Sequence, residues 1–310
     1  PSAGRALRQV AAAFVVSLAI AVAAAHALDA LGLAESPLLV AIVLAATAFG
    51  IVVAVLKDGG EMGTPFGRLV ILGASVADFA TVVLLSLFFS HQGSGIESTL
   101  LLLAMLVLAA AAAGFALLRA RRSERLVRSV SRMQETSAQI GVRIAFVLLM
   151  SFVFLAEEFG LEVVLGAFLA GAAISFVDRE QALKRAGLDR KLEGIGFGIF
   201  IPVFFVAGGM QLNLGALLDS VSSAALVPAA LLALLLVRGL PALLYRIDRR
   251  QAVAAGLLQA TSLPFIVAAV QIGVELDKIS EATAAGLVAA GVLSVLLFPA
   301  TALALMRRRV

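Results

Sequence analysis

The sequence predicts an all-α polytopic membrane protein. The chain is 62% apolar and only 14% charged over 310 residues, whereas a soluble domain carries about a quarter charged residues. Its mean hydropathy is +1.07. Apolar runs of about 20 residues recur along it, long enough to cross a ~30 Å hydrocarbon core as helices. Short alternating segments of the outer-membrane barrel type are absent. With no cysteine in the chain, disulfides and thiolate metal sites are excluded. His26 and His91 both fall near predicted helix ends, so neither a metal cluster nor a cofactor is expected.

Ten apolar segments follow in order. The first, 7–28, is uninterrupted. The second, 37–56, turns small and polar at AATAFG (45–50). The third, 67–90, carries Asp78 near its middle, and a fourth runs over 99–118. RARRSERLVRSVSRMQETSAQ (119–139) is basic and amphipathic, with Leu126, Val130 and Met133 on one helical face. It reads as an interfacial linker helix. The fifth segment is 140–158. The sixth, 161–177, is rich in small residues at GAFLAGAAIS (166–175), which suits close helix packing. The seventh is 194–212. The eighth, 221–245, contains Arg238, the ninth, 251–272, is interrupted at ATSLP (260–264), and the tenth is 282–306.

Threading these segments back and forth puts 22 of the 24 Lys and Arg on one side, in both termini and the loops at 57–68, 119–143, 178–193 and 246–250. The other side holds only Lys278, and Arg238 lies inside a segment. The positive-inside bias puts both ends of this chain in the cytoplasm of a cytoplasmic (inner) membrane protein. It also explains a pI near 10.1 without a nucleic-acid partner.

Of the 20 Asp and Glu, 19 fall in loops or near segment ends. Asp78 alone sits about ten residues, or ~15 Å of helix, from the nearest end. An ionisable group at that depth is costly and marks an ion path or a cavity, unless it only ties helices together. Such a carboxylate holds either a proton or a metal cation, and not comfortably both. Ser75 and Thr81 lie three residues either side of it, on its helical face. Their hydroxyls either complete an oxygen shell for a hard cation or bond back to their own helix. Arg238 is the second deep charge, expected to pair with Asp78 or with carbonyls freed by a broken helix, or else to snorkel outward. Thr47, Thr261, Ser262 and Pro264 mark where the second and ninth segments open, with Gly50 and Gly256 as weaker markers. Half-helix ends meeting in mid-membrane present carbonyls to cations. Glu157 and Glu158 either attract cations at an outer mouth or are simply solvated.

Segments one to three and eight to ten share a pattern: a plain helix, an interrupted helix, then a helix crossing back. The two triplets run in opposite senses, an inverted repeat of the secondary-transporter kind. Two segments precede the second triplet and none the first, so upstream helices are expected to be missing from this chain.

The run AATAFGIVVAVLKDGGEMGTPFGRLVILGASVADFATVVLL (45–85) resembles the monovalent cation:proton antiporter-2 family, which includes Kef-type potassium-efflux systems and bacterial sodium/proton antiporters. GLEVVLGAFLAGAAIS (160–175), IPVFFVAGGMQLNL (201–214) and VRGLPALL (237–244) add to the likeness. The resemblance implies a core of crossed broken helices beside a dimerisation region, a homodimer, and Asp78 as the residue that binds ion and proton. It implies an N-terminally incomplete member, a single transmembrane transporter domain over 1–310. Its core elements are placed at about 37–118 and 251–306, with the remaining helices as scaffold. Two departures matter. Ala77 stands where members often have Asp, Asn or Gln, and Arg238 stands where many have Lys. Arginine does not titrate in this range, so one proton per cation, electroneutral, is expected.

The function expected is therefore exchange of Na⁺ or K⁺ for H⁺ by alternating access. Asp78 is the binding group, Ser75, Thr81 and Thr47 assist, and Arg238 is the charge partner. The alternatives are a sodium-coupled organic-solute symporter on a related fold and a non-transporting membrane sensor or scaffold. Enzymatic chemistry is not expected: the segments hold no Cys, no deep His and no paired carboxylates.

Overall fold

A computed structural model describes residues 3–89, 139–161, 163–177, 187–210 and 221–307, with isolated positions between 100 and 119 and at 215. The fourth expected segment and the basic stretch at 119–139 lie largely outside the described residues. The helices are α1 (Ala3–Ala30), α2 (Pro37–Ala45), α3 (Phe49–Asp58), α4 (Pro65–Phe89), α5 (Ile140–Glu158), α6 (Val163–Val177), α7 (Leu188–Ile195), α8 (Ile201–Met210), α9 (Val221–Leu234), α10 (Arg249–Ala260), α11 (Pro264–Glu275) and α12 (Glu281–Arg307). A π turn, Gly196–Phe200, joins α7 to α8, and α9 continues through a π turn, Leu235–Gly239, into a 3₁₀ stretch, Leu240–Tyr245.

Among the described residues seven helices or half-helix pairs are long and apolar enough to cross a membrane, and the helix within 163–177 is shorter. The chain is a multi-pass membrane protein. The second and ninth expected segments are both discontinuous, each split into two half-helices by three non-helical residues. These pairs are also the buried ones. Within their most apolar windows 61% (37–58) and 78% (249–275) of residues are buried, against 33–44% for the spans of α1, α4, α9 and α12. A helix that is apolar all round belongs in the interior, and α2 is buried continuously from Leu39 to Ala45.

The chain divides into two compact units, residues 1–81 with 208–310, and residues 82–207. In the first, α1 packs on α2 and on the 3₁₀ stretch, α10 packs on α12 and on the π turn, and α2 meets α11. Its apolar centre includes Val10, Val52, Leu56, Phe66, Val70, Ala74, Ala254 and Leu258. Small residues let backbones approach: a Cβ on Gly256 of α10 would lie 2.9 Å from Gly239 Cα. Local signals start the helices. Thr64 Oγ1 accepts from Gly67 N–H at 3.0 Å ahead of α4, Asp248 accepts from Arg250 N–H ahead of α10, and Ser280 Oγ accepts from Thr283 N–H ahead of α12, each relieving an orphan amide of a first turn. In the second unit α5 packs on α6, with Gly166 pressed against the Phe152 carbonyl and Ala156, and Phe146 meets Phe200 at 5.9 Å between ring centres.

Candidate functional site

The two helix interruptions meet. The first runs from Ala46 (φ −71, ψ 160) to Ala48 (φ −77, ψ 81). The second runs from Thr261 (φ −70, ψ 115) to Leu263 (φ −143, ψ −52). Ala48 N–H donates to Thr261 O at 2.7 Å, a backbone bond across the crossing. Thr47 Oγ1 donates to Gln259 O at 2.8 Å. Two carbonyls at the end of α10, which have no partner inside their helix, are satisfied in this way. The negative ends of α2 and α10 and the positive ends of α3 and α11 thus converge at one place.

Arg238 joins this crossing from the π turn. Its Nε donates to Thr47 Oγ1 at 3.0 Å, Nη1 to Ser17 Oγ at 3.1 Å and Nη2 to Gln259 Oε1 at 3.1 Å. The guanidinium stands over the Phe14 ring at 5.7 Å. At 2% exposure it is the one charged side chain buried among the described residues. Burying a cation is costly unless hydrogen bonds and partners offset the lost hydration. Here the offset comes from three neutral oxygens, an aromatic face and the negative end of α2. Among the described residues no ion pair joins Arg238 to Asp78. The π turn fits the sequence: Pro241 lacks an N–H, so the ladder loosens across the preceding turn.

A guanidinium only donates, so the oxygen of the Gln259 amide must face it. The Gln259 nitrogen then turns to the other side, where Nε2 donates to the Tyr245 hydroxyl at 2.6 Å. Gly73 on α4 makes room for both groups. A Cβ there would lie 2.5 Å from Tyr245 Oη and 2.6 Å from Gln259 Nε2. Asp78 stands five residues further along α4, or ~7.5 Å of rise, and is half-buried. Its flanking hydroxyls bond back to their own helix: Ser75 Oγ to Ile71 O at 2.8 Å, and Thr81 Oγ1 to Ala77 O at 2.8 Å and Asp78 O at 3.1 Å. Each keeps lone pairs for a cation but has spent its proton.

At the second interruption Thr261 Oγ1 donates to Leu257 O, and Pro264 opens α11. Ser294 of α12 clasps Ser262. Its Oγ accepts from Ser262 N–H at 3.1 Å, and its single proton is shared between Gly291 O at 2.7 Å and Ser262 O at 3.0 Å. Ser262 Oγ is fully buried with no hydrogen-bond partner. Gly50 is the second residue of α3 and is exposed. Gly256 marks the contact with Gly239 rather than the opening itself. Glu157 and Glu158 are exposed at the end of α5, in the other unit. No group of three or more His, Cys, Asp or Glu that could hold a metal occurs among the described residues.

The structure brings Thr47, Arg238 and the backbone of Thr261 together. It also adds three groups that sequence reading does not single out: Ser17, Gln259 and Tyr245. Tyr245 is the only tyrosine of the chain, which is the one compositional hint. Ser17 looks like any serine in an apolar helix.

The family model described as sodium/hydrogen exchanger, transmembrane, matches residues 3–308. YjbQ of Bacillus subtilis (strain 168), provisionally named as a Na⁺/H⁺ antiporter, is 31% identical over 270 residues, 86% of this chain and 42% of that protein. A Na⁺/H⁺ antiporter of Enterococcus hirae is 33% identical over 177 residues, 56% of this chain and 43% of that protein. GerN of Bacillus cereus, named as a Na⁺/H⁺-K⁺ antiporter, is 30% identical over 172 residues, 56% of this chain and 42% of that protein. The matched regions thus span less than half the length of these three relatives.

Proposed function

From the premise that this chain belongs to the sodium/hydrogen exchanger transmembrane family, we propose that the protein containing it exchanges Na⁺ or K⁺ for H⁺ across the cytoplasmic membrane. The observation that carries this reading is the crossing itself. Two interrupted helices bonded through Ala48 N–H and Thr261 O gather four half-helix ends, in the unit that also holds the half-buried Asp78. Backbone irregularity at membrane depth is tolerated where it lines a path for a solute.

In this reading Asp78 takes a proton or a cation in turn, and the protein alternates access to it from either side. Ser75 and Thr81 offer lone pairs to the cation. Thr47, Thr261, Ser262 and Pro264 shape the crossing. Arg238 carries its charge in both loaded forms, so one proton replaces one cation and no net charge moves. Both termini of the chain face the cytoplasm, and the whole protein acts as a homodimer.

The test uses the full-length protein in proteoliposomes with a pH-sensitive dye. A proton gradient is imposed, and Na⁺, K⁺ or Li⁺ is added to wild type and Asp78→Asn. Gradient dissipation by a cation in wild type alone supports the reading and names the ion. Equal responses, or none from folded protein, would overturn it. Because proton and cation compete, the apparent KM for the cation is expected to rise as pH falls. The limit is about tenfold per pH unit, where the competing site is mostly protonated. A current accompanying exchange would contradict the one-for-one stoichiometry.

A further inference from the structure

We infer that Gln259 is a positioning residue of the exchange site: its neutral amide holds Arg238 against the first helix interruption without cancelling the guanidinium charge. The inference rests on the antiport reading above and goes beyond it by assigning a role to a residue outside the ion-binding set. The Arg238 side chain has three hydrogen-bonding partners, Ser17, Thr47 and Gln259, and each is uncharged. An arginine this deeply buried ordinarily finds a carboxylate, because a charge pair offsets the lost hydration that neutral acceptors offset only in part.

Gln259 stands where such a carboxylate would fit. It is 2% exposed and receives Nη2 at 3.1 Å. Its nitrogen donates to the Tyr245 hydroxyl at 2.6 Å behind it, and because a guanidinium only donates, the oxygen stays turned toward Arg238. The charged and titratable groups on the elements packed around it are Arg238 and Tyr245 on the α9 extension and, on α4, Asp78 and Arg68, the latter at the start of that helix five residues before Gly73. The ionisable residues of α12, Glu281 and Arg307, lie at its two ends, and Arg249 and Arg250 lie at the start of α10, more than two turns away.

The consequence is electrostatic. An uncompensated positive charge in the unit that holds Asp78 opposes loading of that carboxylate by either a proton or a cation. A carboxylate at position 259 would keep the hydrogen bond to Arg238 and remove the net charge. Loading would then be favoured, and exchange would reach half its maximum at a higher pH. An apolar residue of similar size would do the opposite: the charge would remain and the hold would go. Arg238 would no longer be fixed to Thr47, and the rate would fall without a matching change in the pH midpoint.

The experiment compares wild type, Gln259→Glu and Gln259→Met in the full-length protein in proteoliposomes. It measures rate and cation KM from pH 6 to 9, alongside the cation-induced rise in Tm, which reads binding without transport. Ser17→Asp brings a carboxylate to the same guanidinium from α1 and serves if Gln259→Glu does not fold. The expected result is a rise of about one pH unit in the midpoint for either acidic variant, with a lower cation KM. Gln259→Met is expected to lose about tenfold in rate at an unchanged midpoint. If the acidic variants fold, exchange ions and keep the wild-type midpoint and KM, the assignment of Gln259 fails while the antiport reading stands. If wild type exchanges no cation and no cation raises its Tm, both fail.

Discussion

The two helix interruptions look alike in outline and are held open by different means. The second is written into the local sequence. Pro264 begins α11, cannot donate an N–H, and disfavours helical backbone at the residue before it. Leu263 accordingly leaves the helical region at φ −143. The first has no proline and no glycine between Ala46 and Ala48, and alanine is the best helix former. It is held open by bonds from far along the chain, from Thr261 O to Ala48 N–H and from Gln259 O and Arg238 Nε to Thr47 Oγ1. One break is a property of its own residues, and the other is a property of the tertiary fold.

The sharpest way to break this comparison is Ala48→Pro. Its φ of −77 suits proline, and at a compatible site proline stabilises by about 0.4–1 kcal/mol. The bond to Thr261 O would be lost, however, leaving a buried carbonyl without its donor. A net loss of about 2.5 kcal/mol is expected in denaturant titration in mixed micelles; a gain would show that the interruption is locally encoded after all. Thr47→Val comes next, since it removes one hydroxyl that both donates and accepts, at a cost of about 2 kcal/mol. Ser294→Ala orphans Ser262 N–H at the second break, and about 1.5 kcal/mol is expected. Pro264→Ala is the mildest, under about 1 kcal/mol, because Ser294 still clasps Ser262 after the proline is gone. A Pro264→Ala loss as large as that of Thr47→Val would erase the distinction.

The same contrast says what a sequence reveals here. The hydropathy runs, the deep Asp78 and the Pro264 opening rest on local composition and are legible. Thr47 is visible as a polar residue in an apolar helix, yet nothing nearby tells that it accepts from Arg238. Arg238 itself stands out, but its partners do not: Ser17 is 221 residues away and Thr47 is 191. The sequence offers Arg238 Asp78 or carbonyls freed by a broken helix as partners, or an outward snorkel. The structure turns it to the hydroxyl of the first break and to two further neutral groups, a choice fixed by packing between distant helices. Ser75 and Thr81 were open between a cation and their own backbone, and in the structure they bond to the backbone, as short hydroxyl side chains in helices often do.

The dependence of the first break on distant residues also sets an order of events in time. Residues 37–58 emerge from the ribosome long before residues 238–261 exist. Until then Thr47 lacks the partners that hold it, and the segment between Pro37 and Asp58, at a hydropathy of 2.9, has every local reason to be one unbroken helix. It is expected to enter the membrane in that form. The opening at the crossing is therefore expected to be made late, when α10 and the arginine turn arrive and draw the middle of that finished helix apart. A nascent chain halted before residue 238 should carry continuous helix through 46–48, readable by the spacing of a spin-label pair placed at 40 and 55.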